Sequence, residues 1–168
     1  AGNLDPVYVL YGAEPGVARG VVQALRKVVV PPDDATAQAM AAFNHERFDG
    51  GDLASAVPVL SACAQVPMMS RWRLVELANP EDIGKGPGSD STTAAAIDAL
   101  AGYIKAPSPS TVLVITSTGI DGRSKLVTAC KAGGYAHKFE ALSHDGDAIG
   151  FVLAQAQERD RRIDRDAA

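Results

Sequence analysis

The stretch Val7-Tyr-Val-Leu-Tyr-Gly-Ala-Glu-Pro-Gly-Val-Ala-Arg-Gly20 decides the fold of this chain. Its first five residues are apolar on both faces, as a strand covered on both sides of a sheet must be. Gly12 to Gly16 then turn the chain. Val17, Val21, Leu25 and Val29 recur at four-residue spacing, which predicts an amphipathic helix over residues 15–29, stopped by Pro31-Pro32. Strand, glycine turn and helix together form the opening unit of a parallel α/β sheet.

The same alternation continues along the chain. Residues 33–40 carry no clear pattern. Ala41 to Phe48 reads as a second strand, with Asp49-Gly-Gly-Asp52 as its exit turn. Residues 53–65 read as a helix with Leu53, Val57, Leu60 and Ala64 on its inner face. Pro58 then belongs in the first turn, where a missing N–H costs little. A third strand runs from Arg73 to Leu77. Asn79 to Asp90, rich in Gly, Pro and acids, reads as a mobile loop. Ser91 can cap a helix over 92–105, with Ile97, Leu100, Ala101 and Ile104 inward. Thr111 to Thr116 is β-branched and apolar, a fourth strand. Arg123 to Lys131 is a short helix closed by Gly133-Gly134, and Tyr135 to Phe139 is a fifth strand. From Ser143 the strands cease, and Ile149, Val152, Leu153 and Ala156 mark a further helix. The expected fold is α/β: a five-stranded, mostly parallel sheet flanked by helices, with a boundary near Leu142.

Between the second helix and the third strand lies Cys63-Ala-Gln-Val-Pro-Met-Met-Ser-Arg-Trp-Arg-Leu-Val-Glu-Leu77. Pro67 cannot continue a helix, so the chain turns with two methionines at the turn. An apolar turn needs a pocket, in its own protein or in a partner. Methionine's flexible, polarizable side chain suits a partner's groove. On pattern alone the two methionines read as caps on the protein's own core.

Composition narrows the function. The chain has 168 residues, 46% hydrophobic and 21% charged, with a net charge of −4. These values describe an ordinary globular domain and argue against a dominant nucleic-acid grip by this piece alone. Its two cysteines, Cys63 and Cys130, lie in apolar helical patterns and read as free buried thiols. No apolar run approaches the ~20 residues of a membrane span. With no signal peptide, the chain reads as cytoplasmic, without a membrane partner. It begins with Ala, not Met, and reads as trimmed.

The chemistry expected of a P-loop-like or Rossmann-like sheet is missing. A phosphate-binding loop needs G-x-x-x-x-G-K-[ST] to cradle phosphates and hold Mg²⁺. The turn here, Gly12 to Gly20, has no Gly-Lys-Ser and places Glu14 where anions would sit. No acidic pair follows the third strand, and Glu76 within it reads as exposed or edge-facing. Gly84-Lys85-Gly86-Pro87-Gly88 follows no strand directly and reads as a loop. Ser143-His144-Asp145 reads as a helix N-cap, because adjacency in sequence does not build a catalytic triad. His45, His137 and His144 offer no metal-ligand spacing. No catalytic residue, metal or cofactor is expected. The alternative is a divergent nucleotide-binding enzyme domain using the Gly12–Gly20 turn.

An α/β sheet without phosphate machinery resembles the delta subunit family of the bacterial DNA polymerase III clamp loader. Val7 to Pro15 is similar to that family's opening strand and degenerate loop. Glu46 to Asp52, Gln65 to Val75, Ser108 to Val114 and Asp121 to Leu126 are similar to later segments, in the expected order. The resemblance implies an AAA+-like (P-loop-type) domain over 1–141, the start of a helical lid domain over 142–168, and a collar domain beyond it. It implies a component of the DNA polymerase III holoenzyme, a DNA-directed DNA polymerase, with no catalysis of its own. The implied partners are the beta sliding clamp, the gamma/tau and delta prime subunits, and DNA through the assembled complex. The implied clamp-binding wedge is Val66, Pro67, Met68 and Met69, where many relatives carry Phe or Leu. This reverses the core-capping reading of the turn. Arg71, Trp72 and Arg73 lie where the clamp rim could be touched, or Trp72 packs on the sheet.

Overall fold

The structure, a computed structural model, describes residues 4–85 and 92–139. Five strands form one sheet in the order β2-β3-β4-β1-β5: β1 Val7–Gly12, β2 His45–Asp49, β3 Arg73–Ala78, β4 Thr111–Ser117 and β5 Ala136–Phe139. Every pairing is parallel, with Val9 opposite Ile115 and Val75 opposite Leu113. The three central strands are buried almost throughout, as expected when both faces are covered. The edge strands β2 and β5 carry His, Glu, Arg and Lys, which protects open edges from further pairing.

The helices are α1 Pro15–Val29, α2 Ala35–Ala39, α3 Ala41–Asn44, α4 Val57–Ala64, α5 Thr93–Ile104 and α6 Lys125–Ala132. Ala18, Val22, Leu25 and Val29 of α1 pack on Leu10, Leu74, Val112 and Val114 on one face of the sheet. Residues of α4, α5 and α6 pack on Val9, Val75, Leu77 and Ile115 on the other. Each buried aliphatic side chain contributes about 1.5–3 kcal/mol, so the two apolar layers drive this arrangement.

The strand expected over Ala41–Phe48 is a correction. Residues 41–44 are the helical turn α3, and β2 begins only at His45. Asp34 starts the preceding helix by accepting from the Ala37 N–H at 3.0 Å, and Met40 links α2 to α3. Alanine-rich Ala35–Ala42 favours helix once capped. The helix expected over 53–65 is shorter, Val57–Ala64, with Pro58 in its first turn. Its inner face is Val59, Ala62 and Cys63, while Val57 and Ala64 point outward. Thr92 caps α5, its hydroxyl accepting from the Ala95 N–H; Ser91 lies outside the described residues. The loop expected from Asn79 is in part structured. Pro80–Asp82 form a 3₁₀ turn, Ile83 is buried in the core, and the Ile83 carbonyl accepts from Thr93 at 2.8 Å. Gly86-Pro87-Gly88, Ser143-His144-Asp145 and the boundary near Leu142 lie outside the described residues.

Gly12 closes β1 at φ +127°, where a Cβ would stand 2.0 Å from the Phe139 carbonyl oxygen. Both the dihedral and the approach of β5 require glycine. Gly12→Ala is therefore expected to lower stability by about 2–4 kcal/mol, read as a fall in the urea midpoint at unchanged slope.

Candidate functional site

The apolar turn stands open to solvent. Val66 is 81% exposed, Met69 76% and Met68 46%, while Pro67 is half-buried. The methionines do not cap the core, which corrects the reading from pattern alone. Met69 sits at φ +50°, a left-handed conformation that disfavours side chains other than glycine's. Such a conformation persists only where its surroundings fix it.

Asn44 supplies part of that fixing. It is 1% exposed, at the end of α3. Its amide nitrogen donates to the Met68 carbonyl at 2.7 Å, and its amide oxygen accepts from the Met68 N–H at 2.7 Å. One side chain thus satisfies both backbone groups of the residue at the apex. Ser70 adds a local tie, its hydroxyl donating to the Trp72 carbonyl at 3.1 Å.

The far end of the turn is held by Arg73, the first residue of β3 and 3% exposed. Its Nε donates to the Ala62 carbonyl at 2.9 Å, near the C-terminus of α4. Another guanidinium nitrogen donates to the Phe43 carbonyl on α3, and the third meets Glu46 on β2 at 2.5 Å. Thr111 of β4 donates to the Cys63 carbonyl at 3.0 Å. Helix C-termini leave carbonyls unpaired and carry partial negative charge, so a cation and a hydroxyl suit these positions. Arg73 is therefore an interior residue, which corrects its reading as a rim contact. Trp72 packs against the core layer under α1, and Arg71 lies over its ring at 5.0 Å, a cation–π contact at the surface.

The sequence reading passed over Asn44 and Phe43. Phe43 is 53% exposed beside Asn44, an apolar ring at the same corner as the turn. The available signal was a lone Asn within an otherwise apolar run ahead of His45.

A second region lies at the other end of the sheet. The β1–α1–β2 connection and the β4–α6–β5 connection run in opposite directions, so the strand order reverses between β1 and β4. Open α/β sheets bind ligands at that point, beyond the strands' C-termini. A cavity of about 360 Å³ occupies it, lined among others by Gly12, Glu14, Arg19, Thr116, Ser117 and Phe139. Glu76, read as exposed or edge-facing, is instead buried beside it. Its carboxylate meets Arg26 at 2.5 and 2.6 Å, His45 at 2.7 Å and Arg47 at 3.4 Å. Burial alone would raise its pKa, but the hydrogen bonds from Arg26 and then His45, with their charges, hold it at about 2. Burial pushes the Cys63 and Cys130 thiols up to about 12, so neither is a ready nucleophile. Among the described residues no group of His, Cys, Asp and Glu is placed to hold a metal, and no helix is long and apolar enough to cross a membrane.

A parallel α/β domain of P-loop type, with an exposed apolar turn ahead of its third strand, is the class that fold and site define. The family model for DNA polymerase III, delta subunit, matches residues 8–140. The chain belongs to that family. It is 29% identical to DNA polymerase III subunit delta of Bacillus subtilis strain 168 over 172 residues, covering 99% of this chain and 46% of that relative. The solved structure of the Bacillus subtilis DNA clamp loader delta protein superposes with a TM-score of 0.73 at 26% identity, covering 97% of this chain and 46% of that one. A DNA polymerase III gamma subunit-related protein from Thermotoga maritima shares the fold, with a TM-score of 0.52 at 12% identity over 92% of this chain and 49% of its own. The chain thus spans about half the length of the relatives it matches.

The Glu76 cluster makes stability depend on acid. A carboxylate with a depressed folded pKa contributes fully above its unfolded pKa, and the contribution is lost as pH falls from about 4.5 to about 2. Glu76→Gln is expected to destabilise by about 2–3 kcal/mol at pH 7. The difference from the parent should close as pH falls through that window, measured by urea unfolding at stepped pH.

Proposed function

We propose that this chain is the clamp-binding N-terminal region of a clamp loader delta subunit. It engages the beta sliding clamp through Val66, Pro67, Met68 and Met69 and helps open the ring for loading onto primed DNA. The observation that carries this reading is the exposed apolar turn on a backbone held from both sides, in a member of this family. Free surfaces seldom present adjoining apolar side chains unless a partner covers them. Full burial of each methionine would contribute about 1.5–3 kcal/mol, against a rotamer entropy cost of up to about 2 kcal/mol. If the turn binds the opened ring more tightly than the closed one, that difference shifts the ring's population towards opening. In this reading residues 142–168 begin a lid domain, and a collar domain joins the protein to the gamma/tau and delta prime subunits. DNA is met through that assembly, in the cytoplasm. Arg71 and the Trp72 edge lie beside the contact.

The cavity at the strand-order reversal favours a second reading, nucleotide binding at the Gly12–Gly20 turn. Glu14 among its lining residues and the lack of a Gly-Lys-Ser sequence weigh against it.

Calorimetry against the cognate sliding clamp is expected to give micromolar or tighter binding. Met68→Asp or Met69→Asp should weaken it at least about a hundredfold, because a carboxylate would enter an apolar pocket, with the thermal midpoint unchanged. Binding that survives both substitutions would move the contact elsewhere. Millimolar ATP with Mg²⁺ is expected to leave the melting temperature where it was. A ligand at 100 times its dissociation constant would add about 2.7 kcal/mol, and such a shift would favour the nucleotide reading.

A further inference from the structure

We infer that Asn44 is a positioning residue for partner binding, acting through the backbone of Met68 to hold the apolar turn in its binding shape. The inference rests on the proposed wedge. Asn44 is fully buried, yet both polar atoms of its side chain are used on one residue of the turn, at 2.7 Å each. Those two bonds satisfy the N–H and the C=O of Met68 as a neighbouring strand would. The turn has little else of its own to hold it, because Val66, Met68 and Met69 direct their side chains to solvent. The left-handed φ of Met69, +50°, directly follows the clamped residue. A loop that keeps such a conformation with little packing depends on its few fixed hydrogen bonds.

The position of Asn44 explains how it can serve. The Phe43 carbonyl beside it is bound by Arg73, so the end of α3 is fixed to the start of β3. Asn44 therefore projects from a rigid support, and the methionines are presented in one arrangement. A partner then meets a preformed surface and need not order the turn on binding. Without Asn44 the turn would sample other shapes, and its backbone at Met68 would be hydrated.

The test is a double-mutant cycle on this chain, with affinity for the sliding clamp measured by calorimetry. Asn44→Ala is expected to weaken binding roughly tenfold or more. In a Met68→Ala, Met69→Ala background it should cost much less, since the side chains it positions are gone. Asn44→Leu fills a similar space but makes neither bond to Met68, and should weaken binding as Asn44→Ala does. Hydrogen exchange at the Met68 amide reads the same device without a partner: protection should vanish in Asn44→Ala while β3 and β4 amides keep theirs. Equal losses from Asn44→Ala in both backgrounds, or Met68 protection that survives it, would overturn the inference and leave the wedge standing. A Met68→Ala, Met69→Ala variant that binds as the parent does would overturn both. If Asn44→Ala does not fold, the Leu variant decides: full parent affinity with lost Met68 amide protection would overturn the positioning role.

Discussion

The guanidinium of Arg73 is the contact on which one end of this molecule depends. It lies inside the protein at the start of β3 and joins the Ala62 carbonyl of α4, the Phe43 carbonyl of α3 and the Glu46 carboxylate of β2. Burying a guanidinium is costly unless each donor finds an acceptor, and here the acceptors come from three elements distant in sequence. Two are helix-end carbonyls, of which Ala62 also accepts from the Gln65 N–H at 3.3 Å. Arg73 thereby fixes α3, α4 and the sheet together, and the eight residues between Ala64 and Arg73 leave from and return to fixed points. The result is a turn whose apolar side chains face outward while its ends cannot drift.

That constraint explains what was legible in the sequence. The five strands and four longer helices follow from periodicity and from glycine and proline punctuation. Val7–Gly12 and Thr111–Ser117 are continuous apolar runs, and α1 ends where Pro31-Pro32 demanded. The turn at Val66–Met69 was visible because an apolar proline turn is anomalous wherever it occurs. Ala41–Asn44 was misread because four residues carry too little pattern to separate helix from strand, and the arrangement is decided by Arg73 and Asn44 bonds across more than 20 positions. Val57 and Ala64 look inward in sequence because they share a spacing with Leu53, but Leu53 is extended and outside α4, so it does not set that helix's inner face. Glu76 was read as exposed because single-sequence alternation cannot reveal that Arg26, fifty positions away, lies opposite it.

The two regions of interest lie at opposite ends of the parallel sheet. The turn enters at the N-terminal end of β3, beside Thr111 at the start of β4. The cavity lies beyond the C-terminal ends, at Gly12, Ala78 and Ser117. Parallel strands place all their C-termini on one side, where a P-loop-type sheet would do its phosphate chemistry. Changes on that side need not disturb the apolar turn, whose supports, Arg73, Asn44 and Thr111, are all at the other.

Between the two ends, Glu76 shows how a phosphate-type crevice can be turned to holding the fold. A guanidinium beside such a crevice is an obvious anion partner, yet Arg26 makes a two-point pair with the Glu76 carboxylate from the middle of β3. His45 and Arg47 reach the same carboxylate from β2, so one buried acid ties α1 to both strands. A phosphate that recruited Arg26 would have to separate that pair and leave a buried carboxylate short of its partner, a change that costs several kcal/mol. The carboxylate that locks α1 onto the sheet therefore also opposes anions in the crevice, and it strengthens the strand from whose other end Arg73 holds the apolar turn.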